Sequence, residues 1–211
     1  MKTLIINASP RKNRNTAQLL KKAEEGARDN GSETEYIDLF DLNFTGCRSC
    51  LICKLKDSKR CHCYWNDDLS PLLDKIFEAD SVIIGSPIYL GDVTSQLIGL
   101  LERLQFCMLS YDDYSCYFKG NVNAGVILTM NAGEKTFEKW YHDKMEERFR
   151  ALRNLNGHFE MIASCDTLQV DDYSKYNMGS FSPEHKMERH TTQFPVDLER
   201  AYRLGKRLTG E

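Results

Sequence analysis

Short apolar runs and helix-spaced apolar stripes alternate along this chain. The first run, Leu4-Ile5-Ile6, reads as a buried β-strand, and Ala17, Leu20, Ala23 and Ala27 follow at helical spacing before a stop at Gly31. A second strand is expected over 34–39. A helix starting at Asp67 or Asp68 carries Leu69, Leu72, Leu73, Ile76 and Phe77 on one stripe. The Val-Ile-Ile centre of a third strand, 81–85, suits burial on both faces. The third helix, 95–108, has its stripe at Leu97, Leu100, Leu101, Leu104, Cys107 and Met108. An aromatic patch at 111–118 precedes a fourth strand at 122–130, and 134–155 is helical and highly charged. A fifth strand at 159–164, a polar loop-like stretch at 171–192 and a last helix at 196–208 complete the pattern. Five strands alternating with helices predict an α/β fold, a doubly wound parallel sheet with right-handed crossovers and helices on both faces. In such a sheet a ligand lies beyond the carboxyl ends of the strands, at the switch point.

Composition narrows the reading. A chain of 211 residues, 41% hydrophobic and 28% charged, is expected to be one globular domain, with a cysteine-rich insert at about 45–66. A net charge of -3 gives no encouragement to a nucleic-acid or other polyanion partner. No apolar run reaches membrane-spanning length and the opening strand lacks a signal-peptide profile, so a cytoplasmic protein is expected. There, the eight cysteines are expected as thiols or ligands rather than disulfides.

Candidate chemistry sits on the loops that follow the strands. After the first strand come Asn7, Ala8, Ser9, Pro10 and Arg11, then the N-cap formers Asn15 and Thr16. Unpaired N–H groups, the positive end of a helix dipole and Arg11 favour a phosphate there. The glycines of a dinucleotide fingerprint and the Walker A pattern are both missing, and an ordinary capped βα turn fits the same residues. After the third strand, Pro87 and Ile88 lead to Tyr89, an aromatic face, and Gly91, which permits close backbone approach. After the fourth strand, Thr129 and Asn131 are placed to hydrogen-bond a ring edge and Gly133 to bring the backbone near.

Asn7-Ala8-Ser9-Pro10-Arg11 with Asn15-Thr16 resembles the phosphate loop of the flavodoxin-like NAD(P)H-dependent FMN reductases, and Ser86-Pro87-Ile88-Tyr89 resembles their ring-binding loop. The resemblance implies a flavodoxin-like five-stranded sheet and FMN bound by Ser9, Arg11, Asn15 and Thr16 at its phosphate. It further implies that Pro87, Ile88, Tyr89, Gly91, Thr129, Asn131 and Gly133 contact the isoalloxazine, with NAD(P)H as electron donor. One departure is Ile98, where relatives often carry Lys.

The cysteines form a second constellation. Cys47, Cys50 and Cys53 are spaced by three, followed by Cys61 and Cys63. In a helical turn such spacing faces three thiols toward one centre, suited to an iron–sulfur cluster or zinc, although plain thiols fit as well. The run resembles the compact four-cysteine motif of the iron–sulfur flavoproteins. That resemblance implies a [4Fe-4S] cluster on Cys47, Cys50, Cys53 and Cys61, with Cys63 competing for the fourth position. Lys54, Lys56, Lys59 and Arg60 read as a solvated face, and Cys107 as core.

No nucleophile–base pattern stands out, as expected where a cofactor carries the chemistry. The resemblance thus implies an oxidoreductase passing electrons from NAD(P)H through FMN to a small-molecule or protein acceptor. Its rival is an FMN and iron–sulfur electron-transfer protein serving a ferredoxin-like partner. A homodimer or homotetramer is expected, with the tyrosine-rich 111–117 segment as an acceptor lid, a dimer contact or core.

Overall fold

The strands β1 (Lys2–Asn7), β2 (Glu33–Asp38), β3 (Ser81–Pro87), β4 (Val122–Thr129) and β5 (Asn156–Ser164) pair in the order β2-β1-β3-β4-β5. Every pairing is parallel, so this computed structural model, which describes residues 1–210, has the flavodoxin-like order. Alternation along the strands sends side chains to two cores. Ile5, Ile83 and Ile127 pack beneath α1 (Asn15–Asp29) and α8 (Phe194–Leu208), through Leu19, Leu20, Ala201, Leu204 and Leu208. Leu4, Ile6, Val82, Ile84, Val126 and Leu128 face the other way, toward α2 (Leu69–Glu78) and α3 (Ser95–Met108). No helix among the described residues is long and apolar enough to cross a membrane.

Helices α1 and α8 meet backbone to backbone. A Cβ on Gly26 would lie 2.0 Å from the Tyr202 carbonyl oxygen, and one on Gly205 would lie 1.9 Å from that of Ala23. Only glycine permits this approach, which seats α1, and with it the first strand-end loop, against the sheet.

Two stretches differ from the sequence reading. The charged segment forms three short helices, α4 (Glu134–Trp140), α5 (His142–Arg148) and α6 (Arg150–Arg153). Tyr141 leaves helical geometry at φ -124°, which lets Phe137, Met145, Phe149 and Leu152 each turn into one core. The expected loop at 171–192 contains α7 (Pro183–Thr192). Pro183 opens this helix and the Ser182 hydroxyl accepts from the His185 N–H at 3.2 Å. Lys186 is its buried residue, so no apolar stripe marks it.

Candidate functional site

A cleft of about 370 Å³ opens at the carboxyl ends of β1, β3, β4 and β5. It is lined by Ser9, Arg11, Asn15 and Thr16, by Pro87, Ile88 and Tyr89, and by Thr129 and Asn131, all expected there. The loops are held by one another. Asn7 donates to Asp38 at 2.8 Å and accepts from the Ser9 N–H at 3.1 Å, while the Ser9 hydroxyl accepts from the Arg11 N–H at 3.2 Å. Asn15 and Thr16 are the first residues of α1 rather than its cap. Arg14 holds the cap position and no side chain caps that turn, so its leading N–H groups are available to an anion. The Thr16 and Thr129 hydroxyls meet at 2.8 Å, tying the first loop to the end of β4.

The second loop turns at Tyr89-Leu90-Gly91-Asp92, where Tyr89 and Asp92 exchange backbone hydrogen bonds of 2.6 and 3.0 Å. Leu90 and Gly91 both take positive φ, +47° and +89°, and Leu90 is fully exposed. Gly91 therefore shapes the turn and does not itself line the cleft. Helix α5 braces this loop: Arg148 grips Asp92 with bonds of 3.0 and 2.5 Å, and Lys144 donates to the Gly91 carbonyl at 2.6 Å. Burial opposes the Asp92 carboxylate, but Arg148 prevails and holds its pKa below the ordinary value.

Gly133 caps α4 and also lies outside the cleft lining. The Asn131 amide donates to Gln169 at 2.8 Å, and its own Oδ1 is buried without a partner. Helix α7 braces this side. Lys186 donates to the Asn131 carbonyl at 2.5 Å and pairs with Asp166, and His185 reaches Asp166 at 2.6 Å. Asp166 is opposed by burial, yet Lys186 and His185 hold its pKa low.

Sequence reasoning missed Arg14, Met130, Thr167 and Gln169 in the cleft wall. Thr167 and Gln169 follow β5, so the rule that places ligands at strand carboxyl ends contained the signal. Arg11 donates to the Gln169 carbonyl at 2.7 Å and Arg14 grips Asp171 at 2.5 and 2.8 Å, which closes the ring of loops.

The cysteine insert is built differently. Its regular structure is one 3-10 turn, Ile52–Lys54, and Ser49 and Leu51 take left-handed φ of +52° and +62°. Cys47, Cys50, Cys53 and Cys63 nevertheless line one small cavity, joined by Cys107 from α3. Convergence here comes from loop shape, not from helical spacing. Cys107, expected as plain core, is buried and lines the same cavity as Cys53 and Cys63. The neighbouring Cys107 thiol lowers the Cys63 thiol to about 5, aided by Arg103, and the Cys53 thiol to about 7. Cys61 does not line the cavity. It sits at φ +54°, and burial, with Cys116 adding to it, pushes its thiol up to about 11. All eight cysteines are free thiols. Among the described residues, no three His, Cys, Asp or Glu side chains form a group that could hold a single metal ion.

Arg103 on α3 anchors the insert. It is 2% exposed, and its guanidinium bonds Asp67 at 2.5 Å, Ser70 at 2.6 Å, the Thr45 carbonyl at 3.3 Å and the Cys63 sulfur at 3.1 Å. The basic run is less solvated than its sequence suggests. Lys54 caps the end of α3 through the Phe106 and Leu109 carbonyls, and Arg60 lies 4.7 Å above the Tyr117 ring.

A parallel sheet in this order, with a polar crevice at its carboxyl edge, defines the flavodoxin-like class. The fold is similar to an NAD(P)H:quinone oxidoreductase from Methanothermobacter marburgensis, with a TM-score of 0.71 at 18% identity over 99% of this chain and 98% of that one. It is also similar to an azoreductase from Bacillus anthracis, with a TM-score of 0.64 at 13% identity over 98% and 99% of the two chains. The chain belongs to the NADPH-dependent FMN reductase family, whose model matches residues 1–135, and is thus a flavin-dependent oxidoreductase. Among its relatives is an iron–sulfur flavoprotein of Methanocaldococcus jannaschii, 32% identical over 145 residues, or 68% of this chain and 70% of the relative. An iron–sulfur flavoprotein of Archaeoglobus fulgidus is 40% identical over 103 residues, 49% of this chain and 48% of that protein.

Proposed function

We propose that the chain binds FMN across the cleft, takes electrons from NAD(P)H and passes them to a small-molecule or protein acceptor. The observation that carries this reading is the convergence of four strand-end loops on one polar cleft that retains an unpartnered buried acceptor, Asn131 Oδ1. Ser9, Arg11, Asn15 and Thr16 hold the phosphate together with the uncapped first turn of α1. Pro87, Ile88 and Tyr89 flank the ring, Gly91 acts by shaping their turn, and Gly133 acts through the cap of α4. Asn131, its amide fixed by Gln169, accepts an N–H from the ring edge, and Thr129 positions Thr16. Bound flavin supplies the hydride and single-electron chemistry, while these groups bind, orient and exclude water. The proposed assembly is a homodimer or homotetramer, which light scattering tests.

The test is FMN affinity in the wild type and in a combined Ser9→Ala, Thr16→Val variant. The variant is expected to bind FMN more weakly and to lose the preference for FMN over riboflavin. Equal affinities in both proteins remove this loop from the site.

A second reading concerns the insert. Five cysteines on one cavity, and relatives named iron–sulfur flavoproteins, support a [4Fe-4S] cluster working beside the flavin. In that case the natural acceptor or donor is a protein electron carrier. Rapid NAD(P)H oxidation with a quinone or nitro compound favours the enzyme reading, and reduction by a protein donor alone favours the carrier.

A further inference from the structure

We infer that Gln169 is a positioning residue that turns the side-chain amide of Asn131 so that its oxygen, not its NH2 group, meets the ligand. This orientation selects a ring edge that bears an N–H. The inference rests on the flavin reading proposed above and names the group that sets how the site reads the ring.

The backbone around Asn131 has little freedom. On one side, the Met130 N–H donates to the Ser164 carbonyl at 3.1 Å. The Met130 carbonyl accepts from the Thr167 N–H and hydroxyl, both at 3.1 Å. On the other side, the Ala132 carbonyl accepts from the Asp166 N–H at 2.8 Å. The buried Lys186 ammonium donates to the carbonyl of Asn131 itself at 2.5 Å. What these bonds leave open is rotation of the side-chain amide. Its two ends are alike in size and opposite in hydrogen bonding, so half a turn converts an acceptor into a donor.

Gln169 removes that freedom. Its Oε1 accepts from Asn131 Nδ2 at 2.8 Å, which commits the NH2 end and leaves Oδ1 buried without a partner. Gln169 is held in turn through its own backbone. Its N–H donates to the hydroxyl of buried Tyr173 at 3.1 Å, and its carbonyl accepts from Arg11 at 2.7 Å. One residue thus joins the phosphate loop to the ring loop, and both Gln169 and Asn131 line the cleft.

A buried acceptor without a donor is costly, and an N–H from a ligand relieves it. The oxidised isoalloxazine carries a single N–H, set between the two carbonyls of its imide edge. With Oδ1 presented, that N–H is the matching atom. With the NH2 end presented, the match would move to a carbonyl on either side. The amide orientation therefore fixes the register of the ring.

The test titrates two flavins, FMN and FMN methylated at the imide nitrogen, into wild type, Gln169→Met and Gln169→Glu. Wild type is expected to bind the methylated flavin about tenfold more weakly, because methylation removes the donor that Oδ1 requires. Gln169→Met frees the Asn131 amide and keeps every backbone bond, so this preference should shrink several-fold. Gln169→Glu keeps an acceptor for Asn131 Nδ2 and should retain the preference, whatever its charge does to both affinities. Rescue by Glu is the outcome that a merely structural role would not give, and its absence overturns the positioning role. Equal binding of the two flavins by wild type overturns the inference and leaves the flavin reading standing, as does an unchanged preference in Gln169→Met. Binding of neither flavin by wild type overturns both. If Gln169→Met fails to fold, FMN bound to wild type is titrated with alkali and followed by absorbance. An acceptor at the ring N–H holds the proton on, so its loss should need a higher pH than in free FMN. An equal or lower pH overturns the inference.

Discussion

The cleft residues hang from the ends of four hydrogen-bonded strands, while the cysteines hang from a stretch whose regular structure is a single 3-10 turn. In the cleft many small bonds share the positioning: Thr16 to Thr129, Asn7 to Ser9, Lys186 to Asn131 and Arg148 to Asp92. In the insert a single buried arginine joins Thr45, Cys63, Asp67 and Ser70. Distributed support tolerates the loss of one contact. Centralised support does not, and this difference is open to direct attack.

Arg103→Met should produce the largest effect. It leaves Asp67 nearly buried without its cation, which costs about 3–5 kcal/mol, far more than an exposed ion pair is worth. Urea denaturation should show that loss, and a change below about 1 kcal/mol would show that the insert is not centred on this residue.

Thr16→Val attacks the cleft. One hydroxyl pair is lost and the Thr129 hydroxyl is left buried, so FMN affinity should fall by about 1–3 kcal/mol. Stability of the apoprotein should change less than in the arginine variant, because neighbouring bonds still hold the loop. Fluorescence titration measures the first quantity and thermal melting the second.

Acid should separate the two regions next. Asp92 and Asp166 titrate below the ordinary carboxylate value of about 4, so the stability they contribute is complete above that pH and is lost as pH falls through their lower folded values. Both brace cleft loops. Asp166→Asn should therefore flatten the fall in melting temperature below about pH 4. An unchanged acid limb would remove Asp166 from the brace.

The smallest expected effect is at Leu90, a fully exposed leucine at φ +47°. Left-handed backbone costs an L-residue about 1–2 kcal/mol, and Asn tolerates it better, so Leu90→Asn should raise stability by less than about 1 kcal/mol. Melting curves test the sign.

The contrast also explains what was legible in the sequence. Leu4-Ile5-Ile6 and Val82-Ile83-Ile84 announced buried strands because a parallel sheet buries both of their faces. Once the strands were located, the loops after β1, β3 and β4 followed by rule, and Ser9, Thr16, Tyr89 and Asn131 line a common cleft. Thr167 and Gln169 obey the same rule, but their loop carries no residue pattern that marks it. Helix α7 was hidden because its buried residue is a lysine that answers Asp166, a pairing that exists only in three dimensions. The cysteine triplet was visible at once, yet helical spacing misdescribed it, since two left-handed residues and a distant arginine set the thiols' positions. Nothing in the order of residues ties Arg103 to Cys63.

The glycine contact between α1 and α8 has a consequence in time. Asn30 at the end of α1 donates to the Thr209 carbonyl at the end of α8, across 179 residues of chain. Helix α1, which carries Asn15 and Thr16, therefore cannot acquire its final cover until nearly the whole chain has collapsed. Closing so long a loop is entropically costly and belongs late in folding. The phosphate loop should accordingly be among the last parts to become rigid, and refolding monitored by FMN capture should lag behind refolding monitored by secondary structure.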